Sequence, residues 1–239
     1  MTVKADLHVH STASIDGSST VAELAVAAKA QGLDAIAVCD HDRFSALPES
    51  APVLLIPGIE ITSAEGHILG LFPDRPVRLP EGGRPTAKAA VDAIHAAGGI
   101  AVLAHPFGPQ KLPEERLKTL PVDAVEAVNA RSAVKTGANE RALALAEAMR
   151  LPVTGASDAH CAEEVGGAYT ELDVSELSLS TLRQALLEKK ARAVLRSPCL
   201  WRYKARSRLK KRRTEHGVIG LLRTIPYAAG CLIRDLLHL

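Results

Sequence analysis

The sequence predicts an α/β barrel with its functional site at the carboxyl ends of the strands. Several short apolar runs have the length of buried strands, and each leads into residue types that bind metals. Predicted helical segments precede the first, third and fourth of these runs, as expected for parallel strands joined by helices. The runs are Ala35–Cys39, Val53–Ile56, Ile100–Ala104 and Leu151–Thr154, which precede Asp40-His41-Asp42, Gly58-Ile59-Glu60, His105-Pro106 and Ser157-Asp158-Ala159-His160.

The first predicted strand, Val3–Val9, carries the stretch around which the other motifs are organised. Alternate side chains of a strand share a face, so His8 and His10 point the same way while Val9 turns into the packing. This pair forms half of a metal site. A His-x-His pair is common by chance, and it becomes a site prediction through the clusters that follow the later strands.

The next segment has the pattern of a βαβ unit. Thr20 and Glu23 form a capping box at the start of a helix, and Gly32 provides its stop. A strand over 34–39 follows directly, which implies a parallel neighbour.

A hairpin is predicted after this unit. The strand over 53–61 delivers Glu60, and the turn at Glu65-Gly66 leads into a return strand over 67–72 that begins with His67. The segment rich in Pro, Gly and Arg over 73–85 is expected to be a loop.

Helices and strands alternate through the remainder of the barrel. Gly166 and Gly167 predict a loop over 163–170 that covers the site, and Ser180 is expected to cap the last helix. The predicted helices cover 86–97, 113–120, 139–150 and 181–190, and the predicted strands cover 100–105, 123–128, 153–154 and 193–195.

Length and composition indicate a globular protein with an aliphatic core. The chain has 239 residues, of which 47% are apolar and 3% aromatic, so one sizeable domain with an appendage is expected. Its four cysteines are widely spaced, which favours reduced thiols. The first residues run straight into a strand, and we therefore expect a cytoplasmic protein without a targeting segment.

Charge divides the chain into a barrel, 1–198, and a basic helical extension, 199–239. Residues 200–239 hold ten Lys or Arg against Glu215 and Asp235, a net charge of +8. The total of +2 leaves −6 for the rest. A basic tail on an acidic body predicts an anionic partner.

The motifs of the barrel, taken together, resemble those of the PHP superfamily, the polymerase and histidinol phosphatase domain. The resemblance covers about residues 3 to 195, and all the motifs occur in the family's order. They are Asp6-Leu7-His8-Val9-His10-Ser11, Ser14-Ile15-Asp16-Gly17, Asp40-His41-Asp42, Gly58-Ile59-Glu60, Gly66-His67-Ile68-Leu69-Gly70, Ala104-His105-Pro106 and Asp158-Ala159-His160.

This resemblance implies a distorted seven-stranded β/α barrel that holds two or three divalent metal ions. Glu60 would bridge two of them. The implied ligand sets are His8, His10, Glu60 and Asp158 for the first ion, Glu60, His67 and His105 for the second, and Asp16, His41 and His160 for the third.

The chemistry of these side chains leads to the same expectation. Imidazoles and carboxylates are costly to bury unpaired, and coordination repays that cost. Mixed ligation by His and carboxylate suits Zn, Mn or Fe rather than Ca or Mg. Two ions about 3.5–4 Å apart would bring a bridging water to a pKa near 7, which predicts phosphoester hydrolysis.

Other residues near the site are candidates for catalysis and substrate binding. Asp158 or His160 is expected to act as the general acid for the leaving oxygen, because both follow the last site strand. Arg43 and Arg131 directly follow site clusters and could pair with a phosphate. Asn129, at a strand end, could bind metal or substrate, or serve as a turn amide.

The extension leaves three alternatives open. It could pack on the barrel or form a homo-oligomer, lie on an anionic membrane surface, or bind nucleic acid through Trp201, Tyr203 and the basic run. Arg223 and Arg234 are expected to break its apolar stretch short of a membrane span.

From the site and the resemblance we predict a metal-dependent phosphatase or phosphodiesterase. Its substrate would be a nucleotide, an oligonucleotide end or a small phosphorylated metabolite. Histidinol phosphate hydrolysis and a catalytically silent metal-binding scaffold or regulatory domain are the alternatives. The complete set of ligand residues favours an enzyme over the scaffold.

Overall fold

A single mixed sheet forms the centre of the protein in the computed structural model, which describes residues 1–79, 82–108 and 112–237. Across these residues the sheet has nine strands in the order β7-β6-β5-β4-β3-β2-β1-β8-β9. The strands are β1 (Thr2–Val9), β2 (Ala35–Val38), β3 (Leu54–Thr62), β4 (His67–Leu71), β5 (Ile100–Leu103), β6 (Ala124–Asn129), β7 (Val153–Ala156), β8 (Ala168–Asp173) and β9 (Ala191–Leu195).

Helices connect the strands and extend the chain beyond them. They are α1 (Val21–Ala30), α2 (Ala87–Ala96), α3 (Glu114–Leu117), α4 (Ala138–Met149), α5 (Leu179–Leu187) and α6 (Trp201–Leu237). The predicted capping box is confirmed, since Thr20 and Glu23 each bond the other's backbone amide at the start of α1. At α5 the cap is Ser178 rather than Ser180, because the helix begins earlier than predicted.

The predicted hairpin is confirmed and makes the sheet mixed. β1, β2 and β3 run parallel, as do β5, β6 and β7. β4 runs antiparallel to both β3 and β5. The start of β4 therefore lies at the same rim of the sheet as the carboxyl ends of its parallel neighbours.

The sheet curls into a barrel that is nearly closed, and it has nine strands where the resemblance implied seven. The segment after β7 returns to β1, where His10 donates its backbone amide to the Ala159 carbonyl at 2.7 Å. In β7, both backbone groups of Gly155 bond the Thr170 hydroxyl of β8 at 2.9 Å. These contacts bring β7, at one end of the strand order, against β1 and β8 near the other end.

The loop predicted over 163–170 is only partly correct. Residues 162–164 form a 3₁₀ turn, but β8 begins at Ala168 and pairs antiparallel with both β1 and β9. The two adjacent glycines, Gly166 and Gly167, predict a loop from local sequence alone. Residues 168–173 form a strand because they hydrogen-bond to β1, at the start of the chain.

The core is aliphatic, as the composition predicts. Small side chains such as Ala5, Ala37 and Ala104 alternate with larger ones in a buried cluster that α5 covers with Leu182 and Leu186. All four cysteines are free and buried.

α6 is a helical hairpin rather than one straight helix. The chain reverses at Gly217, whose φ of 59° lies in the left-handed region that glycine adopts without strain. We name residues 201–216 the first arm and residues 218–237 the second arm. Asp235 of the second arm accepts hydrogen bonds from the backbone amides of Trp201 and Arg202, at 2.7 and 2.9 Å.

The first arm packs on the barrel, in agreement with the first of the three alternatives for the extension. Arg131 donates to the Ser207 hydroxyl at 2.6 Å, and Lys204 donates to the Arg131 carbonyl at 2.8 Å. By length and composition α6 contains an 18-residue stretch, of mean hydropathy 1.3, that could cross a membrane. This criterion tolerates up to two charged residues, so the expected interruption at Arg223 and Arg234 stays a prediction.

Gly155 provides a test of how the barrel closes. A Cβ atom there would lie 2.5 Å from the Tyr169 carbonyl oxygen and 3.1 Å from Ala193 Cα. We expect Gly155→Ala to lower the free energy of unfolding by about 1–3 kcal/mol, measured by urea denaturation. Gly230→Ala is the control, because a Cβ there meets no atom within 4 Å. Equal stability of the two variants would contradict close packing at this seam.

Candidate metal centre

The nine predicted metal ligands lie together at one rim of the barrel. Each is on or next to a strand end that the topology brings to this rim. His8, His10 and Asp16 come from β1 and the loop after it, His41 follows β2, Glu60 lies in β3, His67 begins β4, His105 follows β5, and Asp158 and His160 follow β7. The convergence of these side chains agrees with the sequence analysis.

Glu60 lies at the centre of the group and is 1% exposed. Its Oε1 is 2.7 Å from His67 Nδ1 and 3.0 Å from His105 Nε2. Its Oε2 faces three other ring nitrogens, His8 Nε2 at 3.4 Å, His10 Nε2 at 3.3 Å and His41 Nδ1 at 3.0 Å. Each carboxylate oxygen thus faces its own set of imidazoles, as expected of a bridging ligand.

Asp158 completes the set around His8 and His10. Its Oδ1 is 3.4 Å from His10 Nε2 and 3.8 Å from His8 Nε2, and these two nitrogens are 3.0 Å apart. Ligand atoms about 2.1 Å from one tetrahedral ion lie about 3.4 Å from each other. The three atoms therefore fit a shared metal ion, as does the combination of donor types.

A third group lies beside the first two. Asp16 Oδ2 is 3.6 Å from His41 Nε2 and 3.5 Å from His160 Nε2. The other oxygen, Asp16 Oδ1, is buried and has no hydrogen-bond partner among the described residues. A buried acceptor without a partner is costly, and a bound cation would satisfy it.

Hydrogen bonds on the far side of two imidazoles select the tautomer that a ligand needs. His8 Nδ1 lies 2.9 Å from Glu126 Oε1, and His160 Nδ1 lies 2.8 Å from the Asp158 carbonyl oxygen. Because both partners are acceptors, each Nδ1 carries the proton and each Nε2 presents its lone pair to the centre.

Glu126 is a site residue that the sequence analysis missed. Its second oxygen accepts from the His105 backbone amide at 2.8 Å and from Asn129 Nδ2 at 3.0 Å. A signal was available, since Glu126 is a lone carboxylate inside the otherwise apolar strand β6, as Glu60 is in β3.

The surroundings of Asp158 and His160 favour ligand roles over the predicted general-acid role. Burial opposes ionisation of Asp158, but charge on His8 and a hydrogen bond from His10 hold the pKa of this carboxyl well below its usual range. Burial and the charge of Arg131 lower the pKa of His160. Both shifts oppose the protonated form that a general acid needs, and the general acid stays a prediction.

The three predicted substrate residues lie in different places. Arg43 is exposed and is not among the residues that line the cavity over the centre. Asn129 is buried, and its amide is held by Glu126, by Asp158 Oδ2 at 3.3 Å and by the Ser132 backbone amide. Asn129 therefore positions Asp158, and only Arg131 of the three reaches the cavity wall.

A cavity of about 520 Å³ opens above the centre, and most of the charged residues that line it are basic. The charge of the extension predicts an anionic partner, but its position over the candidate metal centre does not follow from the sequence. Besides Arg131, the basic residues in the wall are Arg84, Lys135, Lys204, Arg208, Lys211 and Arg212, of which the last four belong to the first arm of α6.

Comparison with known proteins agrees with this fold and site. The PHP domain matches residues 6–96 and the PHP-associated domain matches residues 136–191. An uncharacterized protein of Methanocaldococcus jannaschii is 30% identical over 187 residues, which cover 74% of this chain and 73% of that protein. The fold is that of PHP-like metal-dependent phosphoesterases, and its His, Asp and Glu clusters could hold metal ions. The chain belongs to the PHP superfamily.

A second relative has an assigned activity but matches over a shorter region. A 5'-3' exoribonuclease of Haemophilus influenzae is 45% identical over 85 residues. The match covers 31% of this chain and 31% of the exoribonuclease. The matched part is thus less than a third of that enzyme.

Solved structures share the fold at lower identity. A two-domain protein of Bacteroides vulgatus containing a predicted PHP-like metal-dependent phosphoesterase has a TM-score of 0.64 at 24% identity, covering 82% of this chain and 65% of its own. PsfC of Pseudomonas syringae has a TM-score of 0.64 at 19% identity, and the match covers 96% of this chain and 98% of PsfC. The lesion-specific Endonuclease Q of Pyrococcus furiosus has a TM-score of 0.57 at 19% identity, covering 81% and 58%.

Glu126 offers a test of the centre that leaves the nine predicted ligands in place. In Glu126→Gln one acceptor oxygen becomes an amide donor, so the variant cannot hold both His8 and the His105 backbone. We expect metal affinity to fall about 10–100-fold, measured by competition with a chelator. Glu147→Gln, at an exposed position of α4, is the control. Unchanged affinity in Glu126→Gln would contradict the orienting role.

Proposed function

We propose that the protein is a metal-dependent phosphatase or phosphodiesterase and that the nine predicted ligands hold two or three ions. The observation that carries the proposal is the buried Glu60 carboxylate, whose two oxygens face separate sets of imidazoles. A structural salt bridge would not need five histidines around one carboxylate, because each imidazole adds its own desolvation cost.

Mn, Zn or Fe would suit this mixture of imidazole and carboxylate ligands. Bound there, such ions supply a Lewis acid for phosphoryl oxygens and a water of lowered pKa. The chain's own contribution is to fix the ligands: Glu126 orients His8 and the backbone at His105, and Asn129 orients Asp158.

The cavity wall supports an anionic substrate. Lys211 Nζ lies 3.8 Å from Asp16 Oδ2, and Arg131 Nη1 lies 2.7 Å from Glu164. Lys204 Nζ contacts the Arg131 carbonyl and the Trp201 ring, and no carboxylate pairs with it among the contacts described. Burial and the nearby charge of Arg131 lower the pKa of Lys204. An excess of positive charge in a partly buried cavity favours a phosphorylated ligand.

Among phosphorylated compounds we propose a nucleotide, an oligonucleotide end or a small phosphorylated metabolite. The H. influenzae relative is an exoribonuclease, and Endonuclease Q has been crystallised with a 27-mer duplex that carries an abasic lesion. Both names favour nucleic acid or its fragments over sugar phosphates. Histidinol phosphate remains the single-substrate alternative.

The proposal is tested with the full chain loaded separately with Mn²⁺, Zn²⁺ or Fe²⁺. Bound metal is measured by elemental analysis, and phosphate release is measured from mononucleotides, 5'-phosphorylated oligoribonucleotides, sugar phosphates and histidinol phosphate. We expect the wild type to bind at least two ions and release phosphate, and Glu60→Gln to lose metal and about 100-fold or more of the activity. Glu147→Gln should match the wild type.

Metal binding without phosphate release from any of these compounds would support the silent scaffold or regulatory domain instead. Release from histidinol phosphate alone would select that narrower activity. Full activity in Glu60→Gln would contradict the bridging role of the carboxylate.

Two neighbouring arginines on the first arm allow a direct substrate contact to be distinguished from a general effect of positive charge. Arg212 lines the cavity, whereas Arg213 is exposed and does not. We expect Arg212→Gln to raise KM about tenfold with little change in kcat, because it removes one charged contact to the substrate. Arg213→Gln should leave both constants unchanged. Steady-state kinetics at fixed ionic strength gives the comparison, and equal KM values in the two variants would exclude a direct contact.

A further inference from the structure

The second arm of α6 has two faces of opposite character. Its buried stripe, Gly220, Thr224, Ala228 and Cys231, packs towards the first arm. The opposite face presents large apolar side chains that are each at least half exposed. These are Val218, Ile219, Leu222, Ile225, Leu232, Ile233, Leu236 and Leu237.

This exposed face is continuous. At 100° per residue its members fall within an arc of about 140°, on the side opposite the buried stripe. Elsewhere in the described chain, exposed large apolar residues such as Val26, Leu143 and Leu187 are spread over separate helices. A contiguous patch of this kind marks an interaction surface, whereas scattered residues need no explanation.

Charge decides between the occupants that could cover the face. Nucleic acid would satisfy the basic residues of the hairpin but not eight apolar side chains. A second copy of the chain would bring together two hairpins that each carry ten Lys or Arg against two acidic residues. An anionic lipid surface satisfies both features, because acyl chains accept the apolar face and headgroups attract Arg213 and Arg223, which are exposed.

The contacts within the hairpin decide how the arm meets a bilayer. Asp235 binds the amides at the start of the first arm, and Arg208 lies over the Tyr227 ring at 4.2 Å. The first arm is in turn fixed to the barrel through Lys204 and Ser207. A membrane-spanning second arm would break these contacts, whereas an arm lying in the plane of the interface keeps them.

We propose that the second arm of α6 binds the surface of an anionic lipid bilayer, with its exposed apolar face in the interface and the barrel held outside. The first arm then lies between the bilayer and the barrel. Since that arm also walls the cavity over the candidate metal centre, binding would hold the cavity close to the lipid headgroups.

The experiment is sedimentation of the full-length protein with vesicles, and it does not depend on any enzymatic activity. Vesicles of phosphatidylcholine alone are compared with vesicles in which about one third of the lipid is phosphatidylglycerol. We expect at least about tenfold tighter binding to the anionic vesicles, and a severalfold loss of that binding in high salt.

Two matched triple variants test the face itself. Leu222→Gln, Ile225→Gln and Leu232→Gln together should weaken binding about tenfold or more, because they remove apolar groups that enter the interface. Val26→Gln, Leu143→Gln and Leu187→Gln, at exposed positions of α1, α4 and α5, should bind as the wild type does. Circular dichroism and thermal unfolding establish that both variants are folded.

Three results would overturn the proposal. The first is equal binding of the two triple variants, and the second is binding that neither anionic lipid nor salt changes. The third is self-association of the wild type in the absence of lipid, measured by sedimentation velocity, that the Leu222, Ile225 and Leu232 variant abolishes. That outcome would assign the face to a second copy of the chain.

Discussion

The buried Glu60 carboxylate dictates where several strands must bring their side chains. An ionised carboxylate at 1% exposure is strongly unfavourable unless cations or hydrogen-bond donors surround it. Burial opposes its ionisation, yet His67 and His41 hold the pKa of the Glu60 carboxyl well below its usual range. The partners come from β1 and the residue after it, the start of β4 and the segments after β2 and β5, so these parts of the chain must meet at one rim for Glu60 to be tolerated.

A further layer of buried polar groups keeps this rim in shape. Asp6 of β1 accepts from the backbone amides of Ser157 and Gly166, both at 2.9 Å, and burial raises the pKa of its carboxyl to about 6. Asp40 accepts from the backbone amide and hydroxyl of Ser11, both at 2.7 Å. Asp6 ties two later loops to β1, and Asp40 ties the loop after β1 to the segment after β2. Both connections limit how far the ligands can move.

The helical hairpin connects the candidate metal centre to the outer surface. The first arm places Lys204, Lys211 and Arg212 in the cavity wall and offers its other side to the second arm. The centre would set the reaction type, because that depends on the rim of the barrel. The hairpin would set which anions reach it, because the cations that line the entrance belong largely to this appendage.

Features that depend on local sequence pattern could be predicted before the fold was known. Glu60 was predictable because a carboxylate ending an apolar run signals a site, and Glu126 carried the same signal unnoticed within β6. Three features follow only from the folded chain: 168–173 pairs with β1, Arg43 does not line the cavity, and the chain reverses at Gly217. The difference lies in how far apart in sequence the interacting residues are. Strand and helix patterns reflect neighbours a few residues apart, whereas strand pairing, side-chain exposure and packing of the hairpin depend on residues far away in the chain.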